Sequence, residues 1–202
     1  MSAPAHAVVV LAAGGSRRLG DPKQLLTVDG ETLVRRSARL ALETGPAQAL
    51  IVLGARADAV RRAVADLVLT RVDCPDSAQG LSASIRAAVR AIEPGVDAAL
   101  FVLCDQPALD AAHLRRLVQV WRADPGRAVA SSYAGTVGVP AMLPRSWFAS
   151  LSELTGDRGA RDLLRARSAE VGVVTAAALA RDIDVSADLD AIHATRKRER
   201  RR

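Results

Sequence analysis

The sequence is poor in the residues that mark several classes of protein. Aromatic residues make up only 2% of the 202 residues, and no apolar run approaches the roughly 20 residues that a membrane-spanning helix needs. The first seven residues, MSAPAHA, lack the charged region of a secretion signal. The three histidines, His6, His113 and His193, share no metal-binding spacing. These absences predict a cytoplasmic protein without membrane contact, whose core is built from alanine, valine and leucine.

Cysteine is scarce, and the excess of basic charge is confined to one end. Cys74 and Cys104 have no CxxC spacing and lie in or beside predicted strands, which favours buried core thiols over a disulfide or a metal site. Residues 196–202, RKRERRR, contain six bases and one acid and so account for +5 of the net charge of +6. The remaining +1 excludes a nucleic-acid-binding body, and the basic tail is predicted to be disordered.

Strand and helix signals alternate over the first 125 residues. The predicted strands are residues 7–11, 49–53, 68–72 and 98–103. All but the third of these are continuous apolar runs, which are typical of parallel strands that are buried on both faces. Helices are predicted over residues 32–44, along the apolar stripe of Val60, Val64, Leu67 and Val68, along the stripe from Leu81 to Ile92, and after the N-cap Asp110. The alternation predicts a parallel sheet with helices on both faces.

The order of elements changes after residue 125. Two strands, residues 128–133 and 137–143, flank a turn at Gly135. A helix over residues 144–153, a turn at Gly156, a helix from Ala160, a strand over 171–175 and a helix after Ser186 complete the prediction. Because no linker interrupts this series, we expect a single domain over residues 1–195. Its halves cover about residues 7–125 and 126–195, and the basic tail follows.

Residues 8–26, VVVLAAGGSRRLGDPKQLL, are the most informative segment. A buried strand that ends in glycines, two arginines and a lysine is typical of a phosphate-binding loop. Two common loops of this kind are excluded. Gly15 and Gly20 have Walker A spacing, but Asp21 and Pro22 stand where lysine and serine or threonine are needed. The spacing of the glycines also fails the dinucleotide pattern G-x-G-x-x-G.

The same segment resembles the signature of the MobA-like nucleotidyltransferases, L-A-[AG]-G-x-[SG]-x-R-[ML]-G-x-x-K-x-L-L. Further segments match in order: QGLSAS at 79–84, VLCDQP at 102–107, GVP at 138–140 with GDRGAR at 156–161, and DIDVSADL at 182–189. The resemblance implies an α/β fold: a Rossmann-like three-layer sandwich with a mostly parallel central sheet, of the nucleotide-diphospho-sugar transferase type. It also implies an enzyme that moves a nucleoside monophosphate from an NTP to a phosphorylated acceptor and releases pyrophosphate.

The catalytic charges are assigned to the first loop. Attack on an α-phosphate requires neutralisation of its charge and stabilisation of the leaving pyrophosphate. Arg18 matches the arginine of the signature and Lys23 its lysine, so both are expected to be catalytic. Arg17 stands at a variable position and is expected to be a surface residue.

Two carboxylates are expected to bind Mg²⁺. Asp105 follows the predicted strand 98–103, where a side chain points into the crevice of a parallel sheet, and carboxylate oxygens are ligands that Mg²⁺ prefers. A helix or turn cap is the alternative role for Asp105. By resemblance Asp184 is the second metal ligand, with Asp182 as the other candidate. The family usually has T-P-E where residues 185–187 are Val-Ser-Ala, so the match is weaker there.

The remaining site residues divide between nucleotide and acceptor. Nucleotide binding is expected from Leu11, Ala12, Ala13, Gly14, Gly15, Gly80, Ser82 and Ser84. For the two serines, an N-cap of the following helix is the alternative. Acceptor binding is expected from Gly138, Pro140, Asp157 and Arg161. For Asp157 and Arg161, an i,i+4 ion pair is the alternative.

Within the family the segments LAAG, GLSAS and GDRGAR are most similar to those of the molybdenum cofactor cytidylyltransferases. The resemblance implies transfer of CMP from CTP, with Mg²⁺, to the phosphate of a molybdopterin-type acceptor, and a molybdoenzyme or its maturation chaperone as a partner. Another NTP or a sugar or small-molecule phosphate acceptor is the enzymatic alternative. A non-catalytic carrier that delivers the cofactor to molybdoenzymes is the alternative from another class. Neither nucleic acid nor a membrane is an expected partner.

Overall fold

A computed structural model describes residues 3–15 and 22–180 of the chain. The strands are β1 (His6–Ala12), β2 (Thr27–Val28), β3 (Glu31–Thr32), β4 (Gln48–Leu53), β5 (Thr70–Asp73), β6 (Ala98–Leu103), β7 (Ala128–Tyr133), β8 (Thr136–Pro144) and β9 (Val171–Thr175). The α-helices are α1 (Leu33–Leu42), α2 (Ala57–Ala63), α3 (Leu81–Ala91), α4 (Ala111–Ala123), α5 (Phe148–Ser152) and α6 (Ala160–Ala166). The helix expected after Ser186 and the basic tail lie outside the described residues.

Seven strands form one central sheet in the order β5-β4-β1-β6-β8-β7-β9. β1 lies in the middle of the parallel part and pairs with β4 and β6. β8 runs antiparallel to both of its neighbours, β6 and β7. β2 and β3 form a separate small hairpin. The mostly parallel sheet confirms the predicted fold class, and β8 is its one reversed strand within the described residues.

Both faces of the sheet are covered by helices because the strands are apolar on both sides. Alternate residues of β1 belong to different core clusters: Val9 and Leu11 pack with α3, α5 and α6, while Val8 and Val10 pack with α1, α2 and α4. All but one of these four side chains are fully buried, and Leu11 is 8% exposed. The three-layer arrangement therefore follows directly from the unbroken apolar runs that the sequence shows.

The sequence prediction is wrong around Val68. α2 ends at Ala63, so the helix is shorter than predicted, although Val60 and Val64 are buried and Leu67 packs half-buried against the same core. Val68 is 88% exposed and belongs neither to the helix nor to a strand. β5 begins at Thr70, where pairing with Leu50 of β4 starts. An edge strand begins where its neighbour supplies hydrogen bonds, and this position cannot be read from hydrophobicity alone.

Other local predictions are confirmed. Cys74 and Cys104 are free, buried thiols, and burial raises the pKa of each. Asp110 is the N-cap of α4 and accepts a hydrogen bond from the His113 N–H at 2.8 Å. The described residues contain no helix long and apolar enough to cross a membrane.

His6 makes the folded protein sensitive to acid. It is the first residue of β1 and only 1% exposed; its Nε2 is 3.0 Å from Thr44 Oγ1, and its Nδ1 has no partner among the described residues. Burial, with a smaller contribution from the charge of Arg122, lowers its pKa from 6.5 to about 4. The unfolded chain therefore binds a proton at His6 between these values while the folded chain does not. We expect the stability to be full above pH 6.5 and to fall by about 3 kcal/mol as the pH drops to 4.

Urea unfolding of the wild type and of His6→Leu at several pH values between 4 and 7.5 measures the contribution of His6 to the free energy of unfolding. The other ionisable groups are common to both proteins, so the difference between the two pH profiles isolates His6. The wild type should lose stability more steeply than His6→Leu below pH 6.5. Parallel profiles would show that His6 does not carry the effect.

Candidate active site

A cleft of about 760 Å³ opens at the carboxyl ends of the neighbouring strands β1 and β6. Its lining is Leu11, Ala12, Ala13, Gly14, Gly15, Lys23, Gln24, Ala55, Ser77, Ala78, Gln79, Gly80, Leu81, Ser84, Leu103, Cys104, Asp105 and Asp157. Ligands of open α/β sheets bind outside the carboxyl ends of strands, and this volume suits a small organic ligand. The cleft therefore brings together segments that lie almost 150 residues apart in the chain.

The loop after β1 forms one wall of the cleft. The five residues predicted to bind nucleotide at the end of β1 and in this loop all line the cleft: Leu11, Ala12, Ala13, Gly14 and Gly15. The loop packs closely on Gly54, the residue after β4. A Cβ added to Gly54 would lie only 2.5 Å from the carbonyl oxygen of Ala13. Gly54 was not predicted as a site residue. Its missing side chain lets the loop pack directly on the neighbouring strand.

The second wall is the start of α3. Gly80 occupies its N-cap position, and the Ser82 N–H donates to the carbonyl of Gly156 at 3.2 Å. No side chain caps this helix, so the alternative of a serine N-cap is wrong. Ser84 lines the cleft as predicted. Ser82 is fully buried, and its hydroxyl accepts a hydrogen bond from Arg86 Nη1 at 3.0 Å.

Lys23 and Asp105 both line the cleft, as the sequence prediction requires of a phosphate-binding cation and a metal ligand. Lys23 begins a 3₁₀ helix, Lys23–Leu25, and is half-buried. Asp105 lies in the bend just after β6 and is also half-buried. The helix that follows is capped by Asp110, so Asp105 has no capping role there.

The donor set fits a hard divalent cation that is shared with a substrate. In residues 3–15 and 22–180 no three His, Cys, Asp or Glu side chains group as a metal cage. Mg²⁺ typically uses one or two carboxylates together with substrate phosphates and water. Asp105 can supply one such carboxylate from the cleft wall. Arg18, Asp182 and Asp184, the other predicted catalytic and metal-binding residues, lie outside the described residues.

One of the four predicted acceptor residues lines the cleft. Asp157 lines it next to Gly80, since a Cβ on Gly80 would lie 2.6 Å from Asp157 Oδ1. Gly138, Pro140 and Arg161 are not among the lining residues, and two of them lie side by side: a Cβ on Gly138 would lie 3.5 Å from Arg161 Nε. Arg161 is exposed. Asp157 and Arg161 both lie in the described part of the chain and form no ion pair with each other there, so that alternative is wrong.

A hydrogen-bond network that the sequence did not reveal fixes the segment around Pro140. The Val139 carbonyl accepts from Tyr133 Oη at 2.8 Å and from Gln106 Nε2 at 3.1 Å. The Pro140 carbonyl accepts from Ser131 Oγ at 2.7 Å, and the Val139–Pro140 peptide bond is cis. Because Gln106 directly follows Asp105, the network connects the predicted metal ligand to the predicted acceptor segment.

His113 extends this network on the side of α4. Its Nε2 lies 2.8 Å from Ser131 Oγ. Since the serine hydroxyl donates its one proton to Pro140, His113 is the donor in this contact, which assigns the proton to Nε2. Burial lowers the pKa of His113.

The sequence profile of a family described as MobA-like NTP transferase domain matches residues 8–171. Among curated relatives, the purine catabolism protein PucB of Bacillus subtilis is 30% identical over 192 residues, which cover 91% of this chain and 92% of that protein. The nicotine blue oxidoreductase of Paenarthrobacter nicotinovorans is 36% identical over 168 residues, covering 78% and 80%. A probable molybdenum cofactor guanylyltransferase of Opitutus terrae is 35% identical over 131 residues, covering 64% and 63%.

Solved structures show the same fold over nearly the whole chain. Rv0371c of Mycobacterium tuberculosis superposes with a TM-score of 0.83 at 31% identity, covering 96% of this chain and all of that one. The same protein has been solved as a complex with manganese, which superposes with a TM-score of 0.80 at 30% identity and covers 95% and 99%. The family profile and the superposed structures therefore agree with the fold described above.

Proposed function

Since the chain belongs to the MobA-like NTP transferase family and is a nucleotidyltransferase, we propose that it transfers CMP from CTP to the phosphate of molybdenum cofactor and releases pyrophosphate. The observation that carries the proposal is the cleft, in which a glycine-rich loop, Lys23 and Asp105 meet at the carboxyl ends of β1 and β6. Main-chain N–H groups, a cation and a carboxylate are the groups that a triphosphate and its metal ion require.

The catalytic roles follow from charge. The acceptor phosphate attacks the α-phosphate of the nucleotide in line, one P–O bond forms, and the bond to pyrophosphate breaks. Lys23 and Arg18 stabilise the negative charge that develops on the phosphates. Asp105 and Asp184 hold Mg²⁺, which as a bound ion neutralises phosphate charge. No protein nucleophile is required.

The acceptor is assigned to the second half of the chain. Arg161 presents an exposed guanidinium beside Gly138, and a guanidinium binds phosphate through two parallel hydrogen bonds. Asp157, Gly138 and Pro140 complete this side of the site in the proposal. Support for a molybdopterin-type acceptor comes from the relative named as a molybdenum cofactor guanylyltransferase. A molybdoenzyme or its maturation chaperone is the proposed receiver of the product.

Pyrophosphate release by the purified protein tests the proposal. CTP, GTP and ATP are compared at equal concentration with Mg²⁺, each with and without molybdenum cofactor, and with EDTA as the metal-free control. We expect release that requires both the cofactor and the divalent ion and that is fastest with CTP. Faster release with GTP or ATP would replace the nucleotide in the proposal, and release only with a sugar phosphate would replace the acceptor. No release with any pairing would overturn it.

A further inference from the structure

Gln24 is a buried amide that holds the main chain of the loop after β1. The side chain is 4% exposed. Its Nε2 donates to the carbonyl of Gly14 at 2.9 Å and to the carbonyl of Ala12 at 3.3 Å. One side chain therefore binds two of the peptide groups that form the cleft wall. Neither the composition of the loop nor the family signature, which treats this position as variable, assigns Gln24 a function.

These two hydrogen bonds fix the directions of the N–H groups as well. In a planar trans peptide the N–H of the next residue points opposite to the carbonyl. With the carbonyls of Ala12 and Gly14 turned toward Gln24, the N–H groups of Ala13 and Gly15 point away from it. The Leu11 carbonyl is engaged in the same manner, since it accepts from Cys104 Sγ at 3.4 Å.

The loop consequently presents donors rather than acceptors. The N–H groups of Ala13, Gly14 and Gly15 donate to no other group in the described part of the chain. The Ala13 N–H group is buried and requires an acceptor, whereas Gly14 and Gly15 are exposed and present their N–H groups at the surface of the loop. All three residues line the cleft, so the acceptor available to them is water or a ligand in the cleft.

We propose that Gln24 is a positioning residue for the nucleotide: by engaging the Ala12 and Gly14 carbonyls in hydrogen bonds, it keeps these acceptors from facing a bound anion and holds the N–H groups of the loop for acceptor atoms of the bound NTP. This inference rests on the proposed placement of the nucleotide at this loop. The Ala12 peptide group is also held by the sheet, because Ala12 pairs with Leu53 of β4. Without the amide, the exposed Gly14 peptide group is free to rotate and to turn its carbonyl oxygen toward the anionic ligand, which repels it. The effect of Gln24 is therefore on nucleotide affinity and not on the acceptor.

The test compares Gln24→Met with Gln48→Met by titration calorimetry. Methionine has nearly the length of glutamine but donates no hydrogen bond. Gln48 is the matched control, because its amide also donates to a main-chain carbonyl, that of Ala91 at 2.9 Å, but does not line the cleft. With Mg²⁺ and each of CTP, GTP and ATP, we expect Gln24→Met to raise the Kd of the nucleotide that the wild type binds best by about tenfold or more. Gln48→Met should change that Kd less than twofold.

Tripolyphosphate and the free nucleoside separate the two sources of acceptor atoms. If the N–H groups meet phosphate oxygens, Gln24→Met weakens tripolyphosphate binding as much as NTP binding. If they meet the base, tripolyphosphate binding is unchanged, and both nucleoside binding and the discrimination among the three NTPs are weakened. Either pattern supports Gln24 as a positioning residue.

Two outcomes overturn the inference: an unchanged NTP affinity in Gln24→Met, or an equal loss in Gln48→Met. Should Gln24→Met fail to fold, Gln24→Glu keeps the shape and replaces the donor by an acceptor, and the same loss of affinity is expected from it. Steady-state kinetics distinguish a positioning role from simple destabilisation. In Gln24→Met the KM for the NTP should rise while the KM for the acceptor stays constant, whereas loss of folded protein would change neither KM. A wild type that binds none of the NTPs would instead overturn the proposed function.

Discussion

Asp105→Asn is expected to lower kcat/KM for nucleotidyl transfer by about 10³-fold, equivalent to about 4 kcal/mol of lost transition-state stabilisation. Asp105 lies in the cleft wall immediately after β6, where its charge can hold a divalent ion against the triphosphate. Asparagine keeps the size of the side chain but lacks the negative charge. Pyrophosphate release at saturating Mg²⁺ measures the loss, and thermal unfolding measures whether the variant remains folded.

Asp110→Asn is the matched control for this substitution. It removes the same charge five residues further along, but Asp110 is exposed and caps α4. Asparagine is nearly as good an N-cap as aspartate, so this variant should keep the activity of the wild type. Asp105→Asn with more than a tenth of wild-type activity would contradict the metal-binding role. A protein that carries cofactor without turnover would still deliver it to an apo-molybdoenzyme after Asp105→Asn, and a transferase would not.

The central part of the fold could be predicted because the chemistry of its strands is unambiguous. β1, β4 and β6 are buried on both faces and are therefore continuous apolar runs. β5 has no such run, because it is an edge strand that pairs on one side only, with β4. The pairing of β8 with β6 is antiparallel, and strand direction leaves no trace in hydrophobicity. The central parallel strands could therefore be predicted from the sequence, whereas the bounds of the edge strand and the direction of β8 could not.

In the candidate site, too, some residues could be predicted from the sequence and others could not. Asp105 was predictable because its position follows from one strand and the next residue. Gln24 and Gln106 could not be predicted, because each donates a hydrogen bond to main-chain carbonyls elsewhere in the chain. Gln106 and Val139, for example, are 33 residues apart. A main-chain carbonyl has the same chemistry in every residue, so no sequence pattern marks the partner. Positioning residues of this kind are visible only in three dimensions.

Gly80→Ala is expected to destabilise the protein by about 3 kcal/mol and to disturb the cleft, because two costs coincide at this residue. Gly80 has a φ of +111°, which side chains other than glycine rarely adopt. A Cβ there would also lie 2.5 Å from the carbonyl oxygen of Gly156 and 2.6 Å from Asp157 Oδ1. The loop that carries Asp157 must move to accommodate the methyl group, and the hydrogen bond from Ser82 N–H to Gly156 is lost with it.

Two other glycines separate these costs. Gly135 has a φ of +70°, but a Cβ on it would have no neighbour within 4 Å, so Gly135→Ala should cost only the backbone strain, about 1 kcal/mol. Gly95 has neither a positive φ nor a close neighbour, and Gly95→Ala should change the stability by less than about 0.5 kcal/mol. Chemical denaturation of the three variants and their affinity for NTP give the comparison. If Gly80→Ala is no less stable than Gly135→Ala and binds NTP normally, the contact between the start of α3 and the Gly156 loop does not shape the cleft.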